Sequence, residues 1–171
     1  MKNISVKDLC VCAMLTTIVF VMTLTVNIRL PIAANGGLVH LGNVPLVAGA
    51  ILFGRKKGAV AGAVGMALFD LMSGWALWAP FTFVVRGLMG YTIGAVSGVK
   101  QGRSLIFNTL GIIAGSACVI AGYYVTEAVL YGNWVSPALS IPGNLVQLTA
   151  GAVIGLPLAV VMQKQKLINL E

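Results

Sequence analysis

Apolar residues run along this chain in long blocks, without the alternation of strands, broken only by short polar or Gly/Pro stretches. Six blocks stand out, at about 8–29, 44–54, 58–74, 80–99, 104–131 and 139–162. A membrane-spanning helix needs about 20 such residues, so the pattern predicts an all-α integral membrane protein. It has six transmembrane helices in one domain, residues 1–171, and no room for a soluble domain. The second block is short, about half a membrane deep as a helix. Such a helix is tolerated only where protein or a water-filled cavity shields its ends. A β-barrel would need roughly ten-residue alternating strands, which these blocks do not supply.

Composition sharpens the class. AVILMFWYC residues make up 58% of the 171 positions and charged residues 9%, against about a quarter charged in soluble domains. A soluble single-core enzyme is excluded. So is a disordered or nucleic-acid-binding chain, despite the net charge of +7, because both need charge-rich sequence. Cys10, Cys12 and Cys118 read as small apolar packing residues, since an odd set without ligand spacing builds neither a metal site nor a disulfide framework. No cleavable signal is expected: the apolar run after Asp8 is too long for a signal and lacks an A-x-A site.

The basic residues set the orientation, because cytoplasmic loops concentrate Lys and Arg. Lys2, Lys7, Arg55, Lys56, Lys57, Lys100, Arg103, Lys164 and Lys166 fall on one side of a six-span arrangement, and only Arg29 and Arg86 do not. Both termini are therefore expected in the cytoplasm, with 30–43, 75–79 and 132–138 facing outward. Trp75, Trp78 and Trp134 lie in these outer segments, either as interface anchors or as ligand-stacking rings. Residues 30–43, LPIAANGGLVHLGN, follow Arg29 and hold the only histidine, His40, in the composition of a mobile lid.

Charge inside a membrane is costly and usually functional. The intramembrane set is Asp70, Arg86 and Glu127, with Asn144 and Gln147 as uncharged companions. At about 1.5 Å per residue all three charges fall in the outer half of the bundle. Helical spacing groups Glu127 with Tyr123, Tyr124 and Tyr131, Arg86 with Thr82, Phe83 and Gly90, and Asn144 with Gln147 and Gly151. Polar groups interleaved with aromatic and small residues suit a compact ring-bearing solute. Two blander readings stand beside this one: an Asp70–Arg86 ion pair locking neighbouring helices, and an interfacial Glu127.

Glycines recur at four-residue spacing, Gly58/Gly62, Gly90/Gly94/Gly98, Gly111/Gly115 and Gly151/Gly155, a pattern that lets helices pack closely. Ala13 and Thr17 differ, lying among large residues in the cytoplasmic half of the first helix, and are suited to dock another membrane subunit. There is no GxxxxGK[ST], so the chain is not expected to hydrolyse ATP, and no HExxH or paired acids on one helix support metalloprotease or phosphotransferase chemistry. No cofactor or metal is expected.

The stretch GLVHLGNVPLVAGAILFGRKKGAVAGAVGMALFDLMSGWALWAPFTFVVRGLMGYTIGAVSG, Gly37 to Gly98, resembles the substrate-binding S component of energy-coupling factor (ECF) vitamin transporters. The likeness lies in its HLG(D/N), LFG-(x)3-G, G-(x)4-D-(x)3-G, WAPFT and (K/R)GL-G segments. Within the family it is most similar to the hydroxymethylpyrimidine or pyridoxine branch, and more loosely to the riboflavin one. The resemblance implies a six-helix subunit in a prokaryotic plasma membrane that captures a vitamin in its outer half, under the loop between helices one and two. It implies docking on a transmembrane T component that carries two ATPase subunits, followed by toppling in the membrane to release the cargo inward. The family's Ala-x-x-x-Ala docking motif maps to Ala13 and Thr17, and its HLG(D/N) motif to His40, Gly42 and Asn43, with Asn43 favouring a neutral or polar contact.

The expected ligand site therefore comprises His40, Asn43, Asp70, Trp75, Trp78, Arg86, Glu127, Asn144 and Gln147. One cation and two acids argue for a near-neutral pyrimidine or pyridine vitamin, with pantothenate, riboflavin and folate as alternatives. The rival from another class is a self-sufficient transporter using Glu127 or Asp70 as a proton-coupled site.

Overall fold

The computed structural model describes residues 5–29 and 38–165, and residues 30–37 of the expected lid lie outside them. The helices are α1 Val6–Thr25, α2 Asn43–Phe53, α3 Arg55–Met72, α4 Ala79–Gly98, α5 Leu105–Tyr131 and α6 Ile141–Lys164. A 3-10 turn, Ser136–Ser140, leads into α6. Four segments, α1, α4, α5 and Ser136–Lys164, are long and apolar enough to cross a membrane. Of the other two, α2 has 11 residues, and α3 carries Arg55, Lys56 and Lys57 at one end and Asp70 near the other.

The first block is corrected by the structure. Its helix stops at Thr25, and Asn27–Arg29 (β1) pairs antiparallel with Leu38–His40 (β2), Asn27 opposite His40. The fold is thus helical, with one short hairpin added among the described residues. Asn27 ends the helix: its Nδ2 donates to the carbonyls of Leu24 at 2.7 Å and Thr23 at 3.3 Å, which have no partner further along α1. At the other end, Ser5 Oγ accepts from the Asp8 amide at 3.1 Å, an N-cap.

The glycine spacings are helix crossings within the chain. A Cβ on Gly58 would lie 2.9 Å from the Gly90 carbonyl oxygen, and one on Gly90 would collide with the Gly58 backbone, so α3 and α4 meet backbone to backbone. Gly111 and Gly115 let α5 approach the carbonyls of Ile93 and Met89 on α4, and Gly151 and Gly155 let α6 approach Asn43 and Val44 on α2. Gly98 faces open space.

Helix α2 occupies the middle of this bundle, buried from Asn43 to Leu52 and packed by α1, α3, α4 and α6. That enclosure is what a half-length helix requires. By contrast α1 is largely uncovered: Leu9, Met14 and Ile18 are exposed on it, while Leu15 and Val19 face inward. Lys57 Nζ lies 2.6 Å from Asp8 Oδ1, and Gly102 packs near Gln163, so the first turn of α1, the first of α3 and the last of α6 share one end. Arg55, Lys56, Lys100, Arg103 and Lys164 are exposed around it. The hairpin closes the opposite end.

Candidate functional site

At the hairpin end the helices part around a chamber that is partly open to solvent. Helix α3 contributes Met66, Phe69 and Asp70; Trp75 and Trp78 follow in the connection to α4. From α4 come Thr82 and Arg86, from α5 Tyr123 and Glu127, and from α6 Asn144 and Gln147. His40 enters from β2. Eight of the nine residues expected from sequence thus face one space.

Asn43 is the exception. It is fully buried behind Arg86, where its Oδ1 accepts from Arg86 Nη1 at 2.9 Å and its Nδ2 donates to the Gln147 carbonyl at 3.3 Å. It does not line the chamber. Its contact is with the guanidinium.

Arg86, 2% exposed, donates through Nε to the Tyr123 hydroxyl at 3.1 Å, and its Cζ lies 5.2 Å from that ring's centre. Trp78 continues the stack, edge-on to Tyr123 at 6.2 Å. An aromatic wall therefore runs beside a cation that neutral groups hold in place. Arg86 forms no ion pair with Asp70, so the helix-locking reading of that pair does not stand. Thr82 reaches the Asp70 side chain, while Asp70 Oδ2 is buried without a partner among the described residues.

Glu127 is buried, and its Oε2 accepts from Ser140 Oγ at 2.8 Å. Gln147 Nε2 donates to Asn144 Oδ1 at 3.1 Å, which leaves Gln147 Oε1 without a partner. His40 Nδ1 is likewise buried and has no partner among the described residues. Burial first, and then the charge of Arg86, push the His40 imidazole down to about 3, so it is neutral near pH 7. Buried acceptors beside a chamber lined in part by rings suit a small heterocycle with hydrogen-bonding groups.

Sequence reasoning did not single out Thr23, Leu38, Met66, Phe69 or Ser140 as chamber residues. No spacing rule joins Ser140 to Glu127, and Leu38 enters only because the hairpin folds over. Trp134 stands outside the chamber, exposed. Ala13 and Thr17 are exposed on α1, and the Thr17 hydroxyl bonds back to the Ala13 carbonyl at 2.9 Å, leaving a smooth small-residue face.

Membrane-length apolar helices around a half-length buried helix, with a polar and aromatic chamber at one end, place the chain among polytopic membrane proteins with a solute-sized cavity between their helices. The family is specific. A family model described as "ECF-type riboflavin transporter, S component" matches residues 3–164, and the chain belongs to that family, one of transport components and not of enzymes. It is 34% identical over 143 residues to "Uncharacterized protein in gap 3'region" of Pyrococcus woesei, covering 82% of this chain and 93% of that one. It is 24% identical over 169 residues to "Thiamine precursor transporter HmpT" of Lactococcus lactis subsp. cremoris, covering 99% and 95%.

Proposed function

We propose that this chain is the substrate-binding subunit of an ECF-type importer and captures a small ring-bearing vitamin precursor, hydroxymethylpyrimidine or pyridoxine, in the chamber under the hairpin. The observation that carries the reading is the arrangement of Trp78 and Tyr123 beside an Arg86 held by Asn43 and Tyr123. The rings stack on a flat solute, and the guanidinium, already oriented, donates to a ring nitrogen or a hydroxyl. Likeness to a thiamine precursor transporter along nearly the whole chain supports the same class of cargo. One cation against two carboxylates, among the described lining residues, favours a near-neutral solute over an anionic one.

In this reading the hairpin end faces outward and the basic end faces the cytoplasm. The Ala13–Thr17 face of α1 meets the T component. Two ATPase subunits supply the hydrolysis for which this chain has no P-loop. Reconstitution tests it. Proteoliposomes with this chain alone bind solute without accumulating it, and accumulate it once T and ATPase subunits and ATP are present. Accumulation by the chain alone under a proton gradient would sink the reading in favour of a self-sufficient transporter.

A further inference from the structure

Three buried polar atoms on chamber-lining side chains have no partner among the described residues: Asp70 Oδ2, Gln147 Oε1 and His40 Nδ1. Two of them can only accept. Asp70 is the charged one, 8% exposed, and the nearby guanidinium that could have neutralised it is turned instead to Asn43 and Tyr123. A buried carboxylate oxygen left unmatched is costly, and a donor from a bound solute removes that cost. Arg86 supplies the opposite need, because a guanidinium donates and never accepts. The site therefore shows a donor and a carboxylate acceptor on one chamber, the complement of a ring edge where an N–H adjoins a ring nitrogen.

Resting on the binding-subunit reading, we infer that Asp70 is the specificity-determining residue. It accepts from an exocyclic amino group on a nitrogen heterocycle, while Arg86 donates to an acceptor on the same solute. The substrate class is then an aminopyrimidine-like ring and not a carboxylate solute. A carboxylate on the edge that meets Asp70 would be repelled by it and by Glu127, and Arg86 is a single cation against those two acids. Gln147 Oε1 remains to accept from a hydroxyl substituent.

Titrations of the purified chain in nanodiscs, read by tryptophan fluorescence with Trp134 replaced by Phe so that Trp75 and Trp78 report, test the inference with two probes. One is hydroxymethylpyrimidine with its amino group; the other is the same ring with a methyl group in that position. Wild-type protein should bind the amino ring at least about tenfold more tightly, the scale of a hydrogen bond to a charged group. Asp70→Leu, which keeps the side chain's branched shape, should abolish or reverse that preference and still bind the methyl ring. If Asp70→Leu does not fold, the isosteric Asp70→Asn should narrow the preference. Equal binding of the two rings by wild type, or a preference that survives both variants, overturns the inference and leaves the binding-subunit reading standing. Binding of neither ring also overturns it. In that case titration with riboflavin, pyridoxine and pantothenate decides the broader reading, which fails only if none of them binds.

Discussion

Arg86 Nη1 donates to Asn43 Oδ1 at 2.9 Å, and through that bond the second turn of α4 is tied to the first residue of α2. Because Asn43 Nδ2 also reaches the Gln147 carbonyl, α2, α4 and α6 meet at one side chain. The chamber's cation is thus positioned by the body of the bundle and not by its acids.

Asn43→Ala should cost stability and binding together. It leaves a buried guanidinium N–H unmatched, worth about 1–3 kcal/mol, and frees Arg86 to move, which should weaken ligand binding about tenfold. Thermal melting in detergent and a ligand titration check both, and unchanged values in both would contradict the positioning role.

Arg86→Ala should weaken binding by roughly ten- to a hundred-fold, and adding Asp70→Asn should not restore it, because the two side chains are not an ion pair. The double variant is the decisive measurement. Recovery of binding would show that Arg86 serves only to neutralise Asp70.

Two glycines on α4 should respond in opposite ways to the same substitution. Gly90→Ala drives a methyl group into the Gly58 backbone and should cost about 1–3 kcal/mol. Gly98→Ala meets open space and should leave the melting temperature unchanged or slightly raised. Parallel melts of the two variants compare them directly.

Stability should fall as pH is lowered below about 6.5. His40 is held near 3 in the fold against an ordinary 6.5, so unfolding takes up a proton between those values. The contribution is therefore fully present above 6.5 and lost toward 3, with a slope of at most about 1.4 kcal/mol per pH unit. His40→Gln should flatten that part of the profile, and a slope that persists unchanged would assign it to another group.

Replacing Ala13 or Thr17 by Leu should leave ligand binding intact and abolish uptake by the complete importer. Both residues are exposed on α1 and neither lines the chamber, which this helix reaches at Thr23, so a larger side chain there separates two helices without touching the site. Loss of binding as well would make this face part of the fold, and surviving transport would place docking elsewhere.

The charges of the site stand out in the sequence because each interrupts an apolar block, where a charge is too costly to keep without use. Asp70, Arg86 and Glu127 are legible for that reason, and the four-residue glycine spacings show where helices pack. What holds Arg86 is not legible: Asn43 and Tyr123 lie 43 and 37 residues away, beyond any helical spacing rule. The hairpin hides for a different reason. Asn27–Arg29 continues an apolar block, and only pairing with Leu38–His40 makes it a strand. That is a non-local event without a trace in the local pattern.

The eleven residues of α2 rise about 16 Å, whereas the 20 of α1 rise about 30 Å. The difference, roughly two and a half helical turns, is the room in which the chamber sits, roofed by the strand that leads into α2. The cavity is in effect the volume of helix that the chain left unbuilt. Its depth is then set by where α2 begins. One added turn before Asn43 would intrude on that space, whereas one removed would take away the side chain that holds Arg86 and packs against Gly151, so the length of a single element bears on both cargo size and the placing of the cation.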